Sequence, residues 1–228
     1  MDERPGAILA MDTATGEVVI GIASPDGARL GLSRWPAGHR HGEQLLPAIE
    51  RLLSETGLQR SQLTGIVVGT GPGAFTGLRV GLATAKALAH ALGCRIGGVP
   101  TGEALLVAAA VDAGLPLERL VLLMPAGPSD RVEVRAGRPA RRLAGGSEPD
   151  LAPDDVLVAV DLAERAPADA VARGERARTG LGEVLLRLGA ERLRQGGDPL
   201  GELVPEYVTL PRGVTAATGE VAWSHDPR

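Results

Sequence analysis

Apolar and polar positions change period several times along the first half of the chain, and each change marks an element. Ala7 to Asp12 is a near-continuous apolar run and reads as a buried strand. Thr15 and Gly16 supply a turn, Glu17 to Ser24 a second strand, Pro25 to Gly27 a tight turn, and Ala28 to Trp35 a third strand. From His41 the period lengthens: Leu45, Leu46, Ile49, Leu52 and Leu53 form one helical stripe, and Gly57 stops it. A short apolar strand, GIVVG, follows. Next come a helix from Gly77 or Leu78 to Leu92, the strand RIGGV, and a helix opened by Thr101 as N-cap. The predicted order is βββαβαβα.

Three strands joined by short turns make an antiparallel meander, and the later strand–helix units add parallel strands by right-handed crossovers. The expected fold is therefore α/β, a mixed sheet of the ribonuclease H-like kind found in the sugar kinase, Hsp70 and actin superfamily. Proteins of that superfamily carry two such halves around a nucleotide cleft. In this chain the second half is abbreviated. RLVLLM and RVEVRA pair as strands, DVLVAVDLA adds another, and Leu181 to Gly196 is an amphipathic helix. The expected division is 1–113 for a first subdomain, 114–211 for a shortened second one, and 212–228 for a disordered tail with too little apolar content to fold alone.

Composition narrows the class. The chain of 228 residues is long enough for a substantial core, and its 44% hydrophobic and 23% charged residues are ordinary for a globular protein. No apolar run approaches the roughly 18 residues needed to cross a bilayer. The opening MDERPGAILAMD places acids before a very short apolar stretch, the wrong order for a secretory signal, so a cytoplasmic protein without membrane contact is expected. The one cysteine, Cys94, excludes an intrachain disulfide and a cysteine-based zinc site. Lys86 is the lone lysine among 24 basic residues, and the net charge is −4. With basic residues gathered only in GRPARRL and RGERAR, tight binding of nucleic acid by this chain alone is not expected.

The least ordinary stretch is GTGPGAFTGLRVGLATAKALAHALG, Gly69 to Gly93. It fits neither GxxxxGK[ST] nor GxGxxG. Gly71, Gly73 and Gly77 nevertheless lie between a strand and a helix, where backbone amides can meet an anion. Asp12, Thr13 and Thr15 sit at a strand end and could face the same phosphate, so a small ATPase or phosphotransferase using Asp12 and the Gly71–Gly77 loop is one reading. A turn that merely reverses the chain is the other. Gly77, Gly81, Ala85 and Ala89 recur every four residues, leaving a helix ridge nearly bare of side chains. Leu78, Leu82, Lys86 and His90 form the adjoining ridge. The bare ridge packs either on this chain's own sheet or on a second protein. His39 and His41 precede the first helix without a third ligand, and neither HExxH nor GxSxG occurs, so protease and esterase readings lack their metal or nucleophile.

Together, ILAMDTATGEVVIGIAS, HGEQLLPAIERLL, IVVGTGPGAFTGLRVGLATAKALAHALG and GVPTGEALL resemble the bacterial TsaB family, also called YeaZ-like, across roughly the first half of the chain. LVPEYVTLP is similar to the family's closing segment. The resemblance implies a catalytically silent subunit of the machinery that forms threonylcarbamoyladenosine beside the anticodon of ANN-decoding tRNAs. It implies pairing with a TsaD-type transferase through helices of the first subdomain, a TsaE-type ATPase as a further partner, a homodimer when alone, and only indirect tRNA contact. No cofactor is implied, apart from room for an adenine nucleotide at the joint. TsaD-like proteins carry a metal-binding histidine pair where this chain has Thr101-Gly102-Glu103-Ala104, so no catalytic or metal-binding residue carries over. The expected interface comprises Leu45, Leu46, Ile49, Gly77, Leu78, Gly81, Leu82, Ala85 and Lys86. On that reading Gly81→Leu abolishes pairing and leaves the monomer folded. The family's second-subdomain motif is altered here at Met124-Pro125-Ala126-Gly127, with Glu133 and Val134 keeping its end.

Overall fold

A computed structural model describes residues 6–38 and 41–208, except for the side chains of His41 and Gly42. The expected tail, 212–228, and the loop residues His39 and Arg40 lie outside the described residues.

β1 (Ala7–Asp12) is buried along its whole length. Its alternation explains why: Leu9 and Met11 enter one core while Ile8 and Ala10 enter another, so both faces of the strand are covered. β2 (Glu17–Ala23) and β3 (Arg29–Pro36) extend it as an antiparallel meander, while β4 (Leu63–Gly69) and β5 (Arg95–Val99) join in parallel. The strand order is β3-β2-β1-β4-β5. α1 (His41–Glu55) and α2 (Phe75–Leu92) cover one face through Leu45, Ile49, Leu52, Leu82 and Ala85.

A second sheet follows, in the order β8-β7-β6-β9. It is built from β6 (Leu120–Pro125), β7 (Arg131–Val134), β8 (Arg141–Leu143) and β9 (Val156–Ala159). Between the sheets lie α3 (Thr101–Ala113) and α4 (Ala168–Arg194). Their side chains Leu105, Leu106, Leu181 and Leu185 share one core with Ile8 and Val67 of the first sheet and Leu122 and Val158 of the second. Gly189 of α4 lies so close to the first sheet that a Cβ there would collide with Val67.

The βββαβαβα order of the first half matches expectation. Four local details do not. α2 starts at Phe75, ahead of Leu78. Thr101 is the first residue of α3 and makes no cap, because its hydroxyl is engaged elsewhere. α4 begins at Ala168, 13 residues before the expected start, since 168 to 181 spans 13 positions. Its first half looks too polar to pack, but Arg173, Arg176 and Arg178 are each held by an acid: Asp169, Asp112 and Asp161. β8 is also absent from the sequence reading. Its arginines look like a basic cluster, yet Arg141 pairs with Glu133 and Arg142 with Asp130 on or beside the neighbouring strand.

Candidate functional site

The glycine loop is built around Asp12, which terminates β1 with no exposed surface. One carboxylate oxygen accepts the Ala14 amide at 2.8 Å, and the other accepts the Thr101 hydroxyl at 2.7 Å. The Thr101 oxygen in turn accepts the Gly71 amide at 3.0 Å. Position 69 must lack a side chain, because a Cβ there would strike the Asp12 carboxylate. Burial pushes the Asp12 carboxyl up to about 6, against the hydrogen bonds from Thr101 and Ala14 and with help from the charge of Asp161.

The other predicted phosphate contacts are similarly occupied. The Thr13 hydroxyl donates to the Gly77 carbonyl at 2.7 Å, and that of Thr15 donates to the Glu17 carbonyl at 2.9 Å. Gly73 lets the loop press on Ala14, whose carbonyl accepts the Ala74 amide at 2.7 Å. Gly71 has φ +104°, a left-handed backbone that glycine alone adopts without strain. These contacts bracket the end of β1 against the start of α2.

A cleft of about 1250 Å³ opens between the two halves. Thr15 and Gly73 line it, as do Phe75, Asp130 and Asp161, whereas Asp12, Thr13 and Gly71 are buried and do not line it. The cleft is spanned at one end. Asp161, with φ +57°, accepts the Gly16 amide from the first half at 2.6 Å and binds Arg178 of α4 at 2.6 Å. Arg178 also reaches Glu17 at 3.6 Å.

The expected interface residues divide by burial. Leu45, Ile49, Gly77, Leu78, Gly81, Leu82 and Ala85 are buried in this chain's own core. The bare ridge therefore faces inward. A Cβ on Gly77 or Gly81 would collide with Thr13, so these glycines seat α2 on the end of β1, and Gly81→Leu is corrected from a pairing probe to a folding defect. Leu46 is 50% exposed, and Lys86 is half-buried. The outward surface of α2 comprises Phe75, Thr76, Arg79, Ala83, Ala87, His90 and Ala91.

A further group escaped the sequence reading. Arg79 stacks 3.9 Å above the Phe75 ring, whose centroid is 5.2 Å from that of Tyr207, and Arg79 donates to the Tyr207 hydroxyl at 3.1 Å. These are the one phenylalanine and the one tyrosine of the chain. That scarcity was a readable signal, but nothing local indicated that residues 132 positions apart would stack, as 207 − 75 = 132. In the altered second-half segment, Met124 is buried in β6 and Glu133 of β7 binds Arg135 and Arg141. Among the described residues, no group of three or more His, Cys, Asp or Glu stands close enough to hold a metal ion, and no helix is long and apolar enough to cross a membrane.

Two facing sheets with helices between them, a cleft at the end of β1 and a meander leading into parallel strands define a protein of the ribonuclease H-like, actin-like ATPase fold. The family model described as TsaD, tRNA N6-adenosine threonylcarbamoyltransferase, matches residues 36–171, and the chain belongs to that family. An uncharacterized protein of Mycobacterium leprae is 43% identical over 101 residues, which are 43% of this chain and 28% of that one. A tRNA N6-adenosine threonylcarbamoyltransferase of Brucella ovis is 36% identical over 99 residues, again 43% and 28% of the two chains. The chain thus spans less than half the length of the curated relatives it matches. Among solved structures, YeaZ from Pseudomonas aeruginosa superposes with a TM-score of 0.65 at 22% identity, covering 89% of this chain and 99% of that one, and shares the fold.

Proposed function

We propose that this chain is the TsaB-type subunit of tRNA threonylcarbamoyladenosine synthesis, a catalytically silent partner that activates a TsaD-type transferase. The observation that carries the reading is one of extent. The chain lies within the transferase family, yet its fold accounts for 99% of YeaZ while its alignment spans 28% of a transferase. The internal contacts at Asp12 and Thr13 favour a structural role for the glycine loop, since their polar groups are already satisfied within the chain.

The outward faces of α1 and α2 are the surface we assign to the transferase subunit, or to a second copy of this chain when that subunit is absent. Exposed Leu46 and the small residues Ala83 and Ala87 permit close approach of another helix pair. A TsaE-type ATPase then joins the pair, and tRNA is engaged through the transferase.

The test is reconstitution with TsaC, TsaD and TsaE of the same organism, with and without this chain, beside a sizing run of the chain with TsaD. Product that depends on the chain, together with co-elution, is the expected result. Full product without the chain, or separate elution, overturns the proposal. The alternative, a phosphotransferase using Asp12 and the Gly71–Gly77 loop, predicts magnesium-dependent ATP turnover by the isolated chain, abolished in Asp12→Ala, and such turnover would replace silence with catalysis.

A further inference from the structure

A second concavity, separate from the interlobe cleft and from the outward α1–α2 surface, has a different chemistry. It encloses about 560 Å³ at the carboxyl ends of the parallel strands β4 and β5, beneath the last turns of α4 and the segment that follows them. Open α/β sheets commonly receive ligands at that end of their strands. Val99, Pro100, Leu188, Leu203 and Val204 supply the apolar part of its lining, beside polar and charged residues.

Its charges do not balance. Arg192 is bound by Asp198, which also accepts the Gly98 amide at 2.7 Å, and Glu191 is bound by Arg194 and Gln195. Glu103 and Glu202 line the pocket, and Glu206 stands near Glu103; none of the three has an ion pair among the described residues. Burial, and then the charge of Glu103, hold the Glu206 carboxyl above the usual carboxylate range.

An independent feature lies in the same wall. Thr70 is 8% exposed and lines the pocket. Its amide donates to Val99 and its carbonyl accepts the Glu206 amide, while its methyl is set against Gly98. The hydroxyl has no hydrogen-bond partner among the described residues. A buried hydroxyl left unpaired is costly unless something fills the space beside it.

We propose that this pocket binds an aliphatic organic cation, an ammonium or guanidinium head on a methylene stem. The apolar walls take the stem, as the stems of lysine and arginine lie along apolar surface. Glu103, Glu202 and the Thr70 oxygen take the head through charge-assisted hydrogen bonds. A bare metal ion fits less well, because the carboxylates surround the pocket without converging on one point. The proposal does not depend on the role in tRNA modification.

Calorimetric titration of the full chain with n-butylguanidinium, spermidine and magnesium chloride, at low ionic strength, tests it. Saturable binding of one or both organic cations is expected. It should weaken at least about tenfold in the Glu103→Gln/Glu202→Gln double variant, because the two unpaired carboxylates that line the pocket are neutralised. Thr70→Val preserves shape and removes the hydroxyl, and should weaken binding while leaving the circular dichroism spectrum unchanged. No saturable binding, binding unaffected by these substitutions, or preferential binding of magnesium to the same carboxylates overturns the proposal. Repeating the titration with excess TsaD-type subunit separates two sources of the cation. Loss of probe binding on complex formation identifies a side chain of that subunit as the occupant, and retained binding identifies a free small molecule.

Discussion

Asp12 is a carboxylate withdrawn entirely from water, and its titration reports on the glycine loop. Its carboxyl rises from 3.8 to about 6 in the folded chain, so the protonated form is the one the fold prefers. The associated stability is fully present below the unfolded value and is lost as pH rises through about 6. At 1.36 kcal/mol per unit, a shift of this size corresponds to roughly 3 kcal/mol. Asp12→Asn removes that titration. Chemical denaturation across pH 4 to 7 should show the variant gaining on the parent by about 1–3 kcal/mol as pH rises, on top of a pH-independent offset from the altered Thr101 hydrogen bond. A difference that stays constant with pH would remove Asp12 as the source. Gly81 makes a simpler case. Its hydrogen faces the Thr13 hydroxyl, so even Gly81→Ala forces the helix away from β1. A loss of about 1–3 kcal/mol in urea unfolding is expected, whereas helix propensity alone would predict a gain of about 1 kcal/mol. The sign therefore decides between a packing glycine and a dispensable one.

Among the elements, α2 carries the main correction. Its four-residue glycine and alanine ridge was legible in the sequence, but a ridge without side chains suits a strand of the same chain as well as a helix of another. The four-residue rows offset from it supply the solvent face, and these include Ala83 and Ala87. Substituting Ala83→Arg on this face should change unfolding free energy by less than about 0.5 kcal/mol, because the site is exposed and helical. Pairing with the transferase subunit, measured by sizing and calorimetry, should weaken at least about tenfold through steric and charge conflict. Leu46→Asp on α1 should act in the same way. If both variants pair normally, the assigned surface is wrong while the fold is untouched. α4 shows the opposite failure of local reading. Its opening turns look like a solvated basic run, yet their arginines are neutralised by acids contributed by α3, β9's exit and α4 itself.

For the molecule as a whole, the two halves share an apolar core, and Asp161 adds a polar contact between them. This residue follows β9, accepts the Gly16 amide of the first half, and orients Arg178 toward Glu17. Removing the carboxylate leaves the Gly16 amide and a partly buried guanidinium without their partner. Asp161→Ala should therefore lower stability by about 1–3 kcal/mol in urea unfolding. Asp161→Asn keeps an acceptor for the amide and should lose less. Equal losses would mean that the charge of Asp161, not its hydrogen bond, joins the halves.

The sequence by itself determined the element order of the first half, the mixed sheet, the strand–glycine–helix unit and the family resemblance. Those features are local: period two or period 3.6, turn residues and motif spacing are set within a few positions of one another. Tertiary structure alone decided which face of α2 is buried, that Asp12 is sealed behind Thr101, and which acid answers each arginine of α4. Thr13 meets Gly77 across 64 positions, Thr101 meets Asp12 across 89, and Arg79 meets Tyr207 across 128. A periodic pattern states that a face needs covering. Only the folded chain, by bringing distant segments to within a hydrogen bond of each other, determines what covers it and which polar groups are left open to a ligand.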